Sequence, residues 1–295
     1  MSVRLLLNPA AGRKRGERLR ARLRQLAAAA GVEFEESTSA ADLAVRARRA
    51  REEGVERLLV GGGDGSWHWA AQGLAGGETA LAPIPLGTGN DLARELGYPL
   101  APELAWRAAL AGQRRRIDLG VLAGRRFCGV AGVGFDAAVA EYARARIRRL
   151  RGPAVYAWAT LVTLARYRPP RIRLTSAAGD FAGEVFFVAF ANTSHYGGGM
   201  RIAPRADPTD GLLDLVIVRR VARLRLLAVF PRVYRGRHLS HPAVRLLRAP
   251  GASLWIDPPQ PLNADGEGIG WTRAEPLRVG IEPGALAVIA AGQLD

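Results

Sequence analysis

Lysine is nearly missing from this chain: of 42 lysine and arginine side chains, only Lys14 is a lysine. Without lysine beyond position 14 there is no G-x-x-x-x-G-K-[ST] phosphate loop and no strand lysine of the protein-kinase type, and Schiff-base chemistry has little scope. Cysteine is as scarce. Cys128 stands alone, which excludes an intramolecular disulfide and a multi-cysteine zinc site and gives no sign of an oxidising compartment. Long apolar runs are absent too. The apolar start ends at Pro9, much shorter than a signal-peptide core. The longest apolar stretch, 153–165, falls below the roughly 18 to 20 residues that span a bilayer. The expectation is a cytoplasmic protein that crosses no membrane, with a surface able to touch one.

What is present is an ordinary globular balance, 48% apolar and 23% charged over 295 residues, with a formal charge of +15. The first 120 residues alternate between β-rich runs and helical periodicity, the pattern of a parallel sheet with crossover helices. Strands are predicted over 3–7, 32–36, 57–60 and 80–85. Leu19, Leu23, Leu26 and Ala30 recur at helical spacing, and Ser39 with Asp42 predicts a capping box for a helix running to 53. Extended runs dominate from about 119 onward, at 171–176, 184–190, 212–218, 244–247, 253–256 and 277–281. Helical interruptions are predicted over 136–167, broken at Gly152-Pro153, and over 222–234. The fold class predicted is α/β plus β, with an α/β domain over 1–120 and a β-rich domain over 121–295 whose last residues can return to the first.

Three loops carry the candidate chemistry, each at the end of a predicted strand and all opening on one edge of the sheet. They are Asn8-Pro9-Ala10-Ala11-Gly12, Gly61-Gly62-Gly63-Asp64-Gly65-Ser66 and Gly87-Thr88-Gly89-Asn90-Asp91. Glycine lets backbone N–H groups approach an anion, and a helix N-terminus behind each loop adds favourable dipole charge. One such loop is ordinarily a plain turn. Three on one edge point to a phosphate site.

Together with Pro85-Leu86, Ile117-Asp118-Leu119-Gly120, the segment from Asp207 to Leu212, and Asp265-Gly266-Glu267, these loops resemble the diacylglycerol kinase catalytic-domain family, and within it the soluble bacterial lipid kinases. The matching runs keep family order over residues 8–267. The Gly-Asp-Gly loop alone is shared with nicotinamide-nucleotide kinases and phosphofructokinases; the Gly-Thr-Gly-Asn-Asp loop with the late Asp-Gly-Glu is far more specific. The resemblance implies an N-terminal nucleotide-binding domain like those of NAD kinase and diacylglycerol kinase and a C-terminal β-sandwich. It further implies ATP in the cleft between them, Mg²⁺, a membrane-resident lipid as acceptor, and compatibility with a homodimer. Carried over by position, Asn8, Pro9, Ala10, Ala11, Gly12, Gly62, Gly63, Asp64, Gly65, Ser66, Gly87, Thr88 and Asn90 line the ATP site. Thr38, or Ser37 across a one-residue gap, takes the adenine side. Asp207, Asp210 and the Leu212 carbonyl map onto a structural magnesium site, and Asp64, Asp91, Asp118 and Asp265 onto an acidic network around the metals. Glu267, beside Asp265, is the implied base for the lipid hydroxyl.

The chain departs from the family pattern at Ser66, which keeps the hydroxyl of the usual threonine. It departs again at Trp67-His68-Trp69, where an aliphatic, a polar and an acidic residue are usual. His68 is then either a substitute polar group or simply packed. His195, His238 and His241 lack a cysteine or carboxylate at metal spacing and read as loop residues; Cys128 reads as core.

The positive charge gathers in two clusters. Arg144, Arg146, Arg148, Arg149 and Arg151 precede the apolar run 155–164. Arg219, Arg220, Arg223, Arg225, Arg232, Arg235 and Arg237 are interleaved with Leu224, Leu226, Leu227, Val229 and Phe230. Basic amphipathic helices suit peripheral contact with an anionic membrane surface. Nucleic acid attracts the same charges, but no zinc finger, helix-turn-helix or aromatic RNA-binding motif accompanies them, so no nucleic-acid partner is expected. The competing readings are a soluble-substrate kinase of the NAD kinase type and a catalytically retired lipid-binding protein. Gly-Thr-Gly-Asn-Asp argues against the first, and the retained Asp265 and Glu267 against the second.

Overall fold

The computed structural model describes residues 2–146 and 153–291. Four strands, Val3–Leu7 (β1), Glu33–Glu36 (β2), Arg57–Gly62 (β3) and Ala80–Pro85 (β4), pair in parallel in the order β2-β1-β3-β4. β3 and β4 are buried almost end to end, as strands covered by helices on both faces must be. The helices are Arg13–Ala29 (α1), Ala40–Glu52 (α2), Asp64–Leu74 (α3), Asp91–Glu95 (α4) and Pro102–Ala111 (α5). At α2 the predicted cap forms: Ser39 Oγ accepts the Asp42 N–H at 3.0 Å, and the reciprocal bond falls one residue early, from Thr38 N–H to Asp42 Oδ2 at 2.8 Å. Because the strands run parallel, the loops after β1, β3 and β4 emerge at one edge, where ligands of such sheets sit.

The second half begins with strands the sequence patterning does not mark: Gln113–Leu122 (β5), Arg125–Phe127 (β6) and Val130–Gly134 (β7). Two helices follow, Phe135–Arg146 (α6) and Pro153–Arg166 (α7), then Arg171–Ser176 (β8), Phe181–Ala191 (β9) and Leu213–Arg219 (β10). Arg148, Arg149, Arg151 and Gly152 lie outside the described residues. The helix expected over 222–234 is α-helical only over Arg223–Val229 (α8) and tightens to 3₁₀ at Phe230–Arg235, where Pro231 removes a backbone donor, with a second 3₁₀ turn at Arg237–Ser240. Val244–Ala249 (β11), Gly251–Asp257 (β12), Pro261–Ala264 (β13), Glu267–Trp271 (β14) and Leu277–Ala290 (β15) complete the chain.

These strands form a sandwich. β14, β13, β7, β9, β10 and β11 make one layer; β8 and β12 with the start of β15 make the other. Phe127, Val188, Phe190, Leu215 and Leu254 fill the space between them. On the outer face of the first layer, α6 and α7 cover a third cluster that includes Phe135, Val139, Leu164 and Phe186. Expected to end at 281, β15 runs on to Ala290. Its first half pairs with β12, and after a bulge between Glu282 and Leu286 its end joins β4 in parallel. One strand thus belongs to both halves and fixes their relative orientation. Among the described residues no helix is long and apolar enough to cross a membrane.

Trp67, fully buried on the first turn of α3, donates its indole N–H to the Val60 carbonyl at 2.9 Å and ties α3 to β3. Trp67→Ala removes both the volume and the bond, and is expected to lower unfolding stability by about 3–5 kcal/mol in chemical denaturation; a loss below about 1 kcal/mol would disprove this anchoring role.

Candidate active site

The three strand-end loops meet through their backbones. A Cβ built on Gly87 would lie 2.6 Å from the Gly63 Cα, and one on Gly63 would lie 3.0 Å from the Gly87 Cα, so only glycine allows this approach. Asn8 joins from β1: its Nδ2 donates to Ser66 Oγ at 2.9 Å, its N–H to the Gly61 carbonyl at 2.9 Å, and its Oδ1 accepts the Ala10 N–H at 3.0 Å. Pro9 and Ala11 continue that loop, and Gly12, left-handed at φ 76°, turns it into α1. Asn90 folds the third loop on itself, its Oδ1 accepting the Gly87 N–H at 3.1 Å and its Nδ2 donating to the Gly87 carbonyl at 2.9 Å. Thr88 stands exposed at the tip. After β2, Ser37 is buried, with its hydroxyl donating to the Leu7 carbonyl at 3.3 Å, while Thr38 is exposed.

The acidic residues hold loops by accepting backbone N–H groups. Asp64 Oδ2 accepts from Asn90 at 2.7 Å, and Oδ1 accepts from Asp91 at 2.7 Å and Leu92 at 3.3 Å. Burial, and then the neighbouring Asp91 charge, push the Asp64 carboxyl up to about 6 against those donors. Asp91 Oδ2 and Oδ1 accept from Gly198 and Gly199 at 2.8 and 2.7 Å, bringing the 192–200 loop of the sandwich onto α4. Asp118 accepts from Gly211 at 2.8 Å and from Gly284, within the β15 bulge, at 2.7 Å. It also donates its own N–H to the Pro208 carbonyl at 2.7 Å, so it positions the 207–212 loop.

In that loop Asp207 Oδ1 accepts from the Thr209 N–H at 3.0 Å and hydroxyl at 2.7 Å, and Asp210 Oδ1 accepts the Leu212 N–H at 2.9 Å. Arg248 pairs with Asp210 Oδ2 and donates to Asp214 Oδ1 at 2.9 Å; burial holds the Asp214 carboxyl up. The carboxylates of Asp207 and Asp210 and the Leu212 carbonyl are hard oxygen donors of the kind Mg²⁺ takes. Among the described residues no three His, Cys, Asp or Glu side chains are grouped as a metal site would need. Asp64 and Asp91 are neighbours, whereas Asp118 serves the 207–212 loop.

Across the cleft, the Asp265-Gly266 turn between β13 and β14 presents Glu267. Asp265 takes the left-handed conformation at φ 51° and Gly266 at φ 81°. The Asp265 carboxylate is fully engaged, with Oδ2 accepting from the Cys128 N–H at 2.9 Å and Oδ1 from the Gly129 N–H at 2.8 Å. His68 Nδ1 lies 2.9 Å from the same Oδ2. Glu267 instead reaches over α3, its Oε1 2.5 Å from where a Cβ on Gly65 would stand.

Sequence spacing missed these histidine partnerships because each partner is distant in the chain. His195 Nδ1 sits 3.2 Å from Glu95 Oε2 and 2.8 Å from Ser194 Oγ. His238 is buried, and its Nε2 faces the Ile202 carbonyl at 3.0 Å. Cys128 is buried as expected, and burial pushes its thiol well up.

Comparison with known proteins agrees with this architecture. The profile described as diacylglycerol kinase catalytic domain matches residues 2–122, and that described as YegS C-terminal NAD kinase beta sandwich-like domain matches residues 129–290. The chain is 35% identical over 248 residues to a probable lipid kinase YegS-like protein of Chromohalobacter salexigens, covering 83% of this chain and 79% of that one. It is 37% identical over 218 residues to a diacylglycerol kinase of Mycobacterium tuberculosis, covering 69% and 70%. A diacylglycerol kinase crystal structure from Bacillus anthracis superposes with a TM-score of 0.76 at 20% identity, covering 100% of this chain and 98% of that one. Matched along both halves, the chain belongs to the diacylglycerol kinase family with a YegS-type C-terminal domain, and it is an enzyme of the kinase class.

Proposed function

We propose that this enzyme transfers the γ-phosphoryl group of ATP to a hydroxyl of diacylglycerol or a related membrane lipid. The observation that carries the proposal is the approach of Glu267, from the sandwich, to Gly65 on the first turn of α3. Phosphoryl transfer requires donors around the phosphates and a carboxylate that orients the attacking hydroxyl, and here the two requirements come from opposite walls of one cleft. The N–H groups of Gly63 and Gly65 and the Thr88 hydroxyl would bind the phosphates, with the α3 dipole behind them. Glu267 would accept the hydroxyl proton as the lipid oxygen attacks the γ-phosphorus and ADP leaves. Asp207, Asp210 and the Leu212 carbonyl would hold a structural Mg²⁺, whose charge would neutralise the two carboxylates and steady the 207–212 loop. Asp265, with every carboxylate oxygen already accepting, would serve by holding the turn.

A lipid acceptor is supported by a hollow of about 450 Å³ between α6 and α7, lined by Ala138, Tyr142, Val162 and Tyr167 with Glu141 and Arg166 among them. α6 packs on both strands of the hairpin that carries Glu267. Peripheral membrane contact is supported nearby. Trp158 and Leu161 on α7, Leu224 on α8, and Phe230 and Tyr234 just after it are all exposed, and Arg223 links α8 to the end of α7 through the Tyr167 carbonyl at 3.2 Å. Arg219, Arg220, Arg223 and Arg225, beside Leu224 in the chain, are exposed as well, so this segment carries both elements of interfacial binding.

Glu267→Gln is expected to lower transfer of labelled phosphate from ATP into a panel of micellar lipids at least about 100-fold while ATP binding persists. Wild-type rates in that variant would remove Glu267 from the chemistry, and label in a NAD control alone would overturn the lipid reading. Thr88→Val is expected to weaken ATP binding by roughly tenfold with lipid KM unchanged; unaltered affinity in calorimetry would take Thr88 out of the phosphate site. The double change Leu224→Glu with Phe230→Glu should cut co-sedimentation with phosphatidylglycerol vesicles at least about tenfold, and undiminished binding would place the membrane face elsewhere.

A further inference from the structure

We infer that His68 is a positioning residue for Glu267, acting through Asp265. The inference rests on the proposed role of Glu267. Gly65, His68 and Gln72 share one face of α3, at the spacing of successive helical turns, and all three meet the sandwich half of the molecule. Gly65 lies under the Glu267 carboxylate. His68 is 2% exposed and sits 2.9 Å from Asp265 Oδ2. Gln72 Nε2 donates to the Arg126 carbonyl at 2.9 Å. A carboxylate can only accept from the imidazole, so Nδ1 carries the proton in this contact.

The Asp265-Gly266 turn is therefore held from two directions. The Cys128 and Gly129 N–H groups grip Asp265 from its own domain, and its backbone N–H donates to the Val130 carbonyl at 2.9 Å. Among the described residues His68 connects that carboxylate to α3, the helix that follows the second glycine loop. The hairpin is already fixed to β7 by strand pairing and at its turn by Cys128 and Gly129; the imidazole adds a contact to α3 one helical turn beyond Gly65, and so sets the distance of the Glu267 carboxylate from the N–H groups of the glycine loop. Misplacement of a reacting group by about 1 Å can cost on the order of 100-fold in rate, so the imidazole affects turnover without touching substrate.

Two variants and two readouts test this. His68→Phe keeps a ring in the buried space and removes the donor; His68→Asn places an amide N–H near where Nδ1–H stands. In phosphate transfer from ATP to the accepted lipid, His68→Phe is expected to lose about 30- to 100-fold in kcat with the KM for ATP within about twofold, and His68→Asn to recover to within about threefold of wild type. A His68→Phe kcat near wild type, an Asn variant no better than Phe, or an ATP KM that rises in step with the loss would overturn the positioning role. The second readout needs no activity. In ¹⁵N-histidine NMR of the wild-type protein, one imidazole absent from His68→Asn should show a protonated Nδ1 with its proton shifted downfield, and Asp265→Asn should move it. Absence of that signal rules the contact out. If the signal is present and the wild-type enzyme phosphorylates no lipid, the kinase reading fails and the positioning role with it; if the enzyme is active and His68→Phe is not impaired, the positioning role alone fails.

Discussion

Four aspartates around the cleft each accept two or more backbone N–H groups and so hold its loops in place. Asp64 holds the start of α4, Asp91 holds Gly198 and Gly199, Asp118 holds Gly211 and Gly284, and Asp265 holds Cys128 and Gly129. Hydrogen bonds to a charged acceptor contribute about 1.5–3 kcal/mol each. At Asp91 they also dictate local sequence, because Gly198 and Gly199 present consecutive N–H groups to it at φ 90° and 96°. Two of these aspartates, Asp91 and Asp118, reach from one half of the fold to the other or to β15, so the same bonds that shape the loops lock the cleft. The cost shows at Asp64, whose ionised form burial and Asp91 disfavour.

The cleft's geometry depends as much on β15. Its first half is a sandwich strand and its last residues lie beside β4, so the two halves cannot rotate independently without breaking one ladder or the other. That constraint brings a helix of the first half, α3, against a hairpin of the second. The bulge needed to pass from one sheet to the other is where Gly284 meets Asp118, and Asp118 in turn positions the 207–212 loop. Strand continuity, bulge and loop form one mechanical unit.

A chain with a single lysine has few ways to hold a polyphosphate, and this one presents glycine backbones and helix N-termini instead. Its arginines are largely elsewhere. Arg219, Arg220, Arg223, Arg225 and Arg232 are exposed on and around α8, and others, such as Arg4 among Glu33, Glu35 and Glu53, brace the edge of the parallel sheet. The glycine loops and the arginine-rich surface are therefore separated in space.

By itself the sequence determined the local features: the parallel strands, whose apolar runs need no partner to be recognised, the Ser39 cap, the three glycine loops and their common edge, and the family those motifs mark. Such signals live within a few residues of one another. The tertiary structure alone decided what depends on distant partners. The full reach of β15 was hidden because its last residues read as a plain apolar run until β4 lies beside them. The β13–β14 hairpin was hidden because its strands are only four and five residues long, so pairing, not periodicity, makes them strands. His68 had no readable partner because Asp265 is 197 residues away. The bonding of the aspartates as loop anchors likewise follows from where backbone N–H groups point after folding, which no spacing of residue types encodes.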